Sequence, residues 1–145
     1  MYILSLLLCF TAFTKAQSTS GNIDPSAPDI KFEKDTIDYG TIELGANGER
    51  VFTFKNTGKS PLVISEINTP CGCTKPDTTI VNKPVPPGAK EHLKIKYDTT
   101  RMGQFTKTIT INSNAKSGTV YIVIKGTVKA KQGDNASPGG SPVRN

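Results

Sequence analysis

The sequence predicts an all-β sandwich of about seven strands, and three observations carry that reading. Apolar and polar residues alternate with period two through the middle of the chain. Clusters of Gly, Pro, Asn and Asp interrupt the alternation at short, regular intervals. No stretch holds the apolar spacing of a helix. The elements follow in order. "IKFEK" is a short first strand, and "TIDYGTIEL" a second. "ERVFTFKN" puts Phe52 and Phe54 on one face, and "PLVISEIN" continues the pattern. "EHLKIKYD" sets Leu93, Ile95 and Tyr97 against His92, Lys94 and Lys96. "GQFTKTITIN" groups Phe105, Ile109 and Ile111 opposite Thr106, Thr108 and Thr110. "GTVYIVIKGTV" is apolar on both faces around Ile122 and Val123, as a central strand requires. The punctuation agrees. "LGANGE" carries Asn47-Gly48, "NTGKSP" carries Gly58, and "PPG" at Pro86–Gly88 suits a turn. This density of strands in about a hundred residues predicts an immunoglobulin-like sandwich. Tryptophan is absent, and Cys71 and Cys73 are too close in sequence to bridge two sheets, so an antibody-type Cys…Trp…Cys core is not expected.

The flanks read differently. Residues 1–16 hold an apolar run, Ile3 to Phe13, too short to span a bilayer, then Thr14 and Ala16 as small residues before Gln17. That is the layout of a cleavable signal peptide. Cys9 follows Leu8, whereas lipid attachment wants a small residue before the cysteine, so it is expected to leave with the signal. Residues 17–29 read as a flexible linker, 30–130 as the sandwich, and 131–145, rich in Gly, Pro and Ser, as a disordered C-terminal tail. The mature protein is expected to be secreted or periplasmic, with no transmembrane segment. Net charge is +6, or +5 once Lys15 is removed. The basic residues, among them Lys31, Lys34, Arg50, Lys55, Lys59, Lys94, Lys96 and Lys107, are scattered and read as a solvated basic face. No nucleic-acid module is recognisable. Weak attraction to acidic glycans or cell surfaces is compatible with this balance.

The chemistry concentrates at "NTPCGCTKP", Asn68–Pro76, which turn formers place on a loop at one end of the sandwich. Cys71 and Cys73 admit three readings. The first is a structural disulfide or idle thiols: a bridge needs the Cα atoms within about 7 Å, and so small a ring constrains the unfolded chain little. The second is a redox pair, with Lys75 near enough to favour a thiolate, although no helix N-terminus of the thioredoxin kind is present. The third is a metal site for Cu(I) or zinc, for which further ligands are lacking: His92 sits on a polar strand face, and Met102 is the sole methionine beyond the start. No hydrolase constellation emerges, and pairs such as Glu43/Glu49 and Asp35/Asp38 read as solvated. No catalytic, metal or cofactor residue is therefore expected.

Five stretches together resemble one family. They are "FEKDTIDYGTIELG" (Phe32–Gly45), "FTFKNTGKSPLVISEINTPCGCTKP" (Phe52–Pro76), "PPGAKEHLKIKYDTT" (Pro86–Thr100), "GQFTKTITINSN" (Gly103–Asn114) and "IKGTV" (Ile124–Val128). They are similar to the bacterial domain-of-unknown-function 1573 family, an exported immunoglobulin-like domain allied to Hydin-type and PapD-like sandwiches. The resemblance implies fold and export, and its common occurrence in Bacteroidota agrees with Gln17 after the cleavage point. Its characteristic pair maps onto Cys71 and Cys73, with Gly72 and Thr74. It implies no activity. A loop-tip disulfide between Cys71 and Cys73 is expected, its chemistry open. Exported proteins of that phylum are often O-glycosylated at Asp-Ser/Thr motifs, a pattern that Thr36, Thr78 and Thr99 match. The functional expectation is a non-enzymatic module that binds a protein or envelope component. The alternative is a small thiol–disulfide or copper-handling protein acting through Cys71 and Cys73.

Overall fold

A computed structural model describes residues 24–133. Residues 1–16, which read as a signal peptide and hold Cys9, residues 17–23 of the expected linker, and residues 134–145 of the expected tail lie outside the described residues. Within them the chain forms nine strands: β1 (Ile30–Phe32), β2 (Thr36–Glu43), β3 (Glu49–Asn56), β4 (Leu62–Asn68), β5 (Thr74–Pro76), β6 (Pro84–Val85), β7 (Lys90–Tyr97), β8 (Gly103–Ser113) and β9 (Val120–Lys129). Seven of them, β1–β4 and β7–β9, are those expected from alternation. Two short pieces, β5 and β6, add to them, and one 3-10 turn spans Thr78–Ile80. Two sheets face each other, of order β1-β3-β7-β5 and β2-β9-β8-β4-β6. The architecture is an immunoglobulin-like β-sandwich.

Alternation explains the core. On β7 Leu93, Ile95 and Tyr97 are buried and Lys90, His92, Lys94 and Lys96 exposed. On β3 Phe52 and Phe54 point the same way. Ile109 and Ile111 of β8 and Ile122 and Ile124 of β9 answer from the other sheet, all fully buried. Each such side chain contributes roughly 1.5–3 kcal/mol by leaving water. Tyr97 stacks on Phe105, with ring centroids 3.8 Å apart, and Tyr39 meets Phe105 edge-on at 5.3 Å.

Three features depart from the sequence reading. First, β2 runs parallel to β9, and a bulge between Asp38 and Thr41 shifts their register. Second, the turn after β2 centres on Leu44 and Gly45, where the Ala46 N–H donates to the Glu43 carbonyl, rather than on Asn47-Gly48. Gly48 is buried and meets another constraint: a Cβ there would overlap the Tyr97 carbonyl oxygen. Third, residues 24–29, read as part of a flexible linker, are tied down. Pro28 is buried, Thr57 N–H donates to the Asp29 carbonyl at 2.9 Å, and Lys116 N–H to that of Pro28 at 2.8 Å. Lys116 Nζ also lies 3.6 Å from the Asp29 carboxylate. Backbone partners, which composition does not display, override the linker-like sequence here.

Asn56, at the end of β3, is a fully buried polar residue. Its Nδ2 donates to the carbonyls of Ser60 (2.8 Å) and Val85 (2.9 Å), and its Oδ1 accepts from Gly58 N–H at 3.0 Å. One side chain thereby joins the β3–β4 turn to β6. No buried side-chain polar atom lacks a partner among the described residues.

Candidate functional site

The Cys71–Cys73 loop leaves β4 at Asn68 and returns as β5. Thr74 N–H donates to the Cys71 carbonyl at 3.2 Å, and the Thr69 hydroxyl reaches the same oxygen at 3.4 Å. Asp98 N–H donates to the Cys73 carbonyl at 2.8 Å, docking the loop on the end of β7. The turn allowed by Gly72 brings the Cα atoms of the two cysteines to 5.2 Å, and their sulfurs are bonded. Cys73 is buried, 4% exposed, whereas Cys71 is half-buried and Gly72 open to solvent. The Thr74 hydroxyl lies 3.8 Å from Cys73 Sγ and, facing a bonded sulfur without hydrogen, is the donor in that contact.

Beside the loop is a depression of about 320 Å³ lined by Gly72, Cys73, Lys75, Lys96, Tyr97 and Asp98. A second, of about 340 Å³, adjoins it through Lys75 and Lys96 and includes Glu49, Pro76, Asp77 and Lys94. The charges around both are fixed locally. The Thr100 hydroxyl and amide, with Arg101, hold the Asp98 carboxyl below the ordinary range. The Thr79 amide and hydroxyl do the same for Asp77. Behind the depression the Tyr39 hydroxyl donates to the Gly48 carbonyl at 2.7 Å, and the Arg50 guanidinium lies 4.1 Å from the Tyr39 ring centre. Burial pushes the Tyr39 hydroxyl up to about 12, against the lowering effect of Arg50.

The remaining candidates are dispersed. His92 is exposed on β7, its Nδ1 3.2 Å from the Thr53 hydroxyl, and is remote in register from the cysteines. Met102 is 66% exposed in the β7–β8 loop. Among the described residues no group of three or more His, Cys, Asp and Glu side chains converges as metal ligands would. Thr36 and Thr78 are exposed. Thr99 is not: it is 7% exposed, and its hydroxyl donates to the Ala46 carbonyl at 2.7 Å. The folded domain therefore does not present Thr99 for glycosylation, because the hydroxyl that would carry the sugar locks the loop at this end.

What sequence reasoning missed is how the lysines gather. Register places Lys31 opposite Lys55, Lys55 opposite Lys90, and Lys75 opposite Lys96. With Lys94 these six form one outward face on the four-stranded sheet, continuous with the two depressions.

The sandwich and its disulfide-tipped loop define the class, an immunoglobulin-like β-sandwich domain. The family described as "Protein of unknown function (DUF1573)" matches residues 30–128, and the chain belongs to it. No curated protein matches it. Among solved structures it is similar to a protein of unknown function from Porphyromonas gingivalis W83, at 18% identity and TM-score 0.62, over 69% of this chain and 46% of that one. The chain thus spans about half the length of that relative. It is also similar to an ASH/PapD-like domain of human CEP192, at 10% identity and TM-score 0.62, over 91% and 99% of the two chains. The YadV chaperone aligns at 11% identity and TM-score 0.54, over 73% and 55%. These likenesses concern the fold. No described helix is long and apolar enough to cross a membrane.

Proposed function

We propose that the chain is an exported, non-enzymatic immunoglobulin-like module that binds a component of the cell envelope. One observation carries the reading: the six-lysine sheet face runs without a break into the depressions beside the Cys71–Cys73 loop, making a single polar contact surface on a rigid scaffold. The disulfide acts as a pre-organiser. It holds the loop in one conformation before contact, which lowers the entropy lost on binding. The free edges fit strand addition less well. β1, β5 and β6 are short, and on β2 the Asp38 carboxylate accepts from Gly40 N–H at 2.8 Å, capping the bulge in mid-strand. Partner-domain likenesses to PapD-like folds support a binding role by analogy alone.

The test is fractionation of cells producing the full chain with its leader. The protein should sediment with the envelope, be released by high salt, and stay bound when Cys71→Ser and Cys73→Ala are combined. Recovery wholly in the soluble periplasmic or medium fraction at low salt would refute the reading.

A second reading rests on the unequal burial of the two sulfurs. In it, a dithiol substrate's thiolate attacks half-buried Cys71 Sγ, the bond to Cys73 breaks, and Cys73 leaves as a thiolate facing the Thr74 hydroxyl. The second substrate thiol then displaces Cys71, so the substrate is oxidised to a disulfide and the cysteine pair reduced. Loss of dithiol oxidation in either single cysteine variant, with envelope association unchanged, would favour this reading. Copper handling is its other form, and a Cu(I) titration without tight binding removes it.

A further inference from the structure

We propose that the outward face of the four-stranded sheet docks on a planar anionic surface, the headgroup layer of a membrane containing acidic phospholipid. The proposal rests on the binding-module reading and names the partner's chemistry. Lys31, Lys55, Lys75, Lys90, Lys94 and Lys96 share this face with three acids, Glu33, Glu49 and Asp77, which leaves it an excess of three positive charges. Lys90 pairs with Glu33 at 2.7 Å. The other five lysines make no ion pair among the described residues. Like charges directly opposite each other on adjacent strands destabilise a sheet, yet three such pairs occur here: Lys31/Lys55, Lys55/Lys90 and Lys75/Lys96. An anionic partner relieves that repulsion. The opposite outer face lacks the bias. There Lys125 stands opposite Thr106 and pairs with Asp38 at 3.5 Å, and Lys129 stands opposite Glu43.

The spread of the lysines selects the shape of the partner. They lie on all four strands, about 14 Å across at ~4.8 Å per strand, and Lys90 to Lys96 extends about 20 Å along β7. A single polyanionic thread lies along one or two rows of such a lattice, whereas a planar array of phosphates reaches all of them together. Stacking against sugars or bases uses exposed aromatic rings, and the exposed large apolar residue on this face is Val51. Lys94 and Lys96 stand about 7 Å apart along β7, and the cross-strand pairs Lys55/Lys90 and Lys75/Lys96 about 5 Å apart, inside the Debye length of roughly 8 Å at physiological salt, so neighbours reinforce one another's field.

The experiment is co-sedimentation of the full chain with vesicles of phosphatidylcholine alone or with about a third phosphatidylglycerol. The protein should bind the acidic vesicles, and raising salt should release it. Each lysine near such a surface is worth roughly five-fold in affinity, so Lys55→Gln, Lys90→Gln, Lys94→Gln and Lys96→Gln combined should weaken binding about 10²–10³-fold. Their melting temperature should change little, since the Lys55/Lys90 and Lys75/Lys96 repulsions are removed together with the exposed Lys90–Glu33 ion pair. Four changes elsewhere, Lys59→Gln, Lys116→Gln, Lys125→Gln and Lys129→Gln, alter net charge equally and should weaken binding much less. Equal loss in both sets, absence of binding to acidic vesicles at low salt, or tighter binding to soluble dextran sulfate than to vesicles would overturn the proposal. If vesicle binding fails while envelope association of the cell-produced protein persists, the lipid assignment falls and the binding-module reading stands.

Discussion

Replacing Asn56 by alanine should be among the most damaging single changes to this domain. Its side chain is fully buried and makes hydrogen bonds of 2.8, 2.9 and 3.0 Å, with a longer one of 3.4 Å from Asp29 N–H. Alanine removes them all. Ser60, Gly58 and Asp29 are only half-buried, so their backbone groups regain water in part. The Val85 carbonyl faces the interior, and an unsatisfied buried group costs about 1–3 kcal/mol. Taking about 2 kcal/mol there and about 1–2 kcal/mol for the rest gives a loss of about 3–4 kcal/mol. For a domain near a hundred residues this corresponds to a fall in Tm of about 15 °C. Urea unfolding followed by circular dichroism measures it directly. Asn56→Asp sharpens the test. One oxygen still accepts from Gly58, but the other now faces two carbonyl oxygens, which raises the folded-state pKa of the new carboxyl. Its protonated form is favoured in the fold, so the variant should recover stability as pH falls through that raised pKa and be weakest above it. A loss below about 1 kcal/mol for Asn56→Ala would refute the reasoning, because the buried carbonyls would then have found other partners.

Three further outcomes follow from the same structure. Combining Cys71→Ser with Cys73→Ala should cost only about 1.5 kcal/mol in urea unfolding, since a three-residue ring restricts the unfolded chain little; a cost above that of Asn56→Ala would assign the bridge a larger structural role. Tyr39→Phe removes the bond to the Gly48 carbonyl, which keeps the Tyr97 N–H, so about 1 kcal/mol is expected at neutral pH. With the Tyr39 hydroxyl raised to about 12 in the fold, its contribution is whole below pH ~10 and lost as pH rises through about 12, and the phenylalanine variant should show a flatter alkaline limb in pH-dependent melts. Gly58→Ala would drive a methyl into Ala27 O, Asp29 N and Pro28 Cα, so the 24–29 segment should detach and proteolysis there should accelerate markedly.

The long strands were legible because each has one buried face. On β7, Leu93, Ile95 and Tyr97 against His92, Lys94 and Lys96 could be read at sight. Periodicity names a face and not a neighbour, so the parallel pairing of β2 with β9 had no signal in the chain. β5 and β6 are three and two residues long, and each contains proline, too little for any period to register. The burial of Asn56 had no signal in the strand pattern, because one of its partners, the Val85 carbonyl, lies far along the chain, in addition to the nearby Gly58 and Ser60. Thr99 matched the glycosylation pattern as well as Thr36 and Thr78 did, while its burial depends on Ala46, far away in sequence. The cysteine loop was placed correctly at one end of the sandwich by its turn formers. The lysine face required the register of four strands, because its members are far apart along the chain and each alone is an ordinary solvent-facing residue.

The last strand, β9, lies between β2 and β8. A chain delivered from its N-terminus therefore lacks the middle of its larger sheet until residue 129 has emerged. Before then, the inward edges of both β2 and β8 have no partner and form open templates for other strands. Long-range pairings of this kind close slowly, and the exposed intermediate is the form most prone to aggregate. A handover that keeps the chain extended until its final strand arrives suits such a topology, and any truncation short of Val120 should leave two sheet edges bare rather than a smaller folded domain.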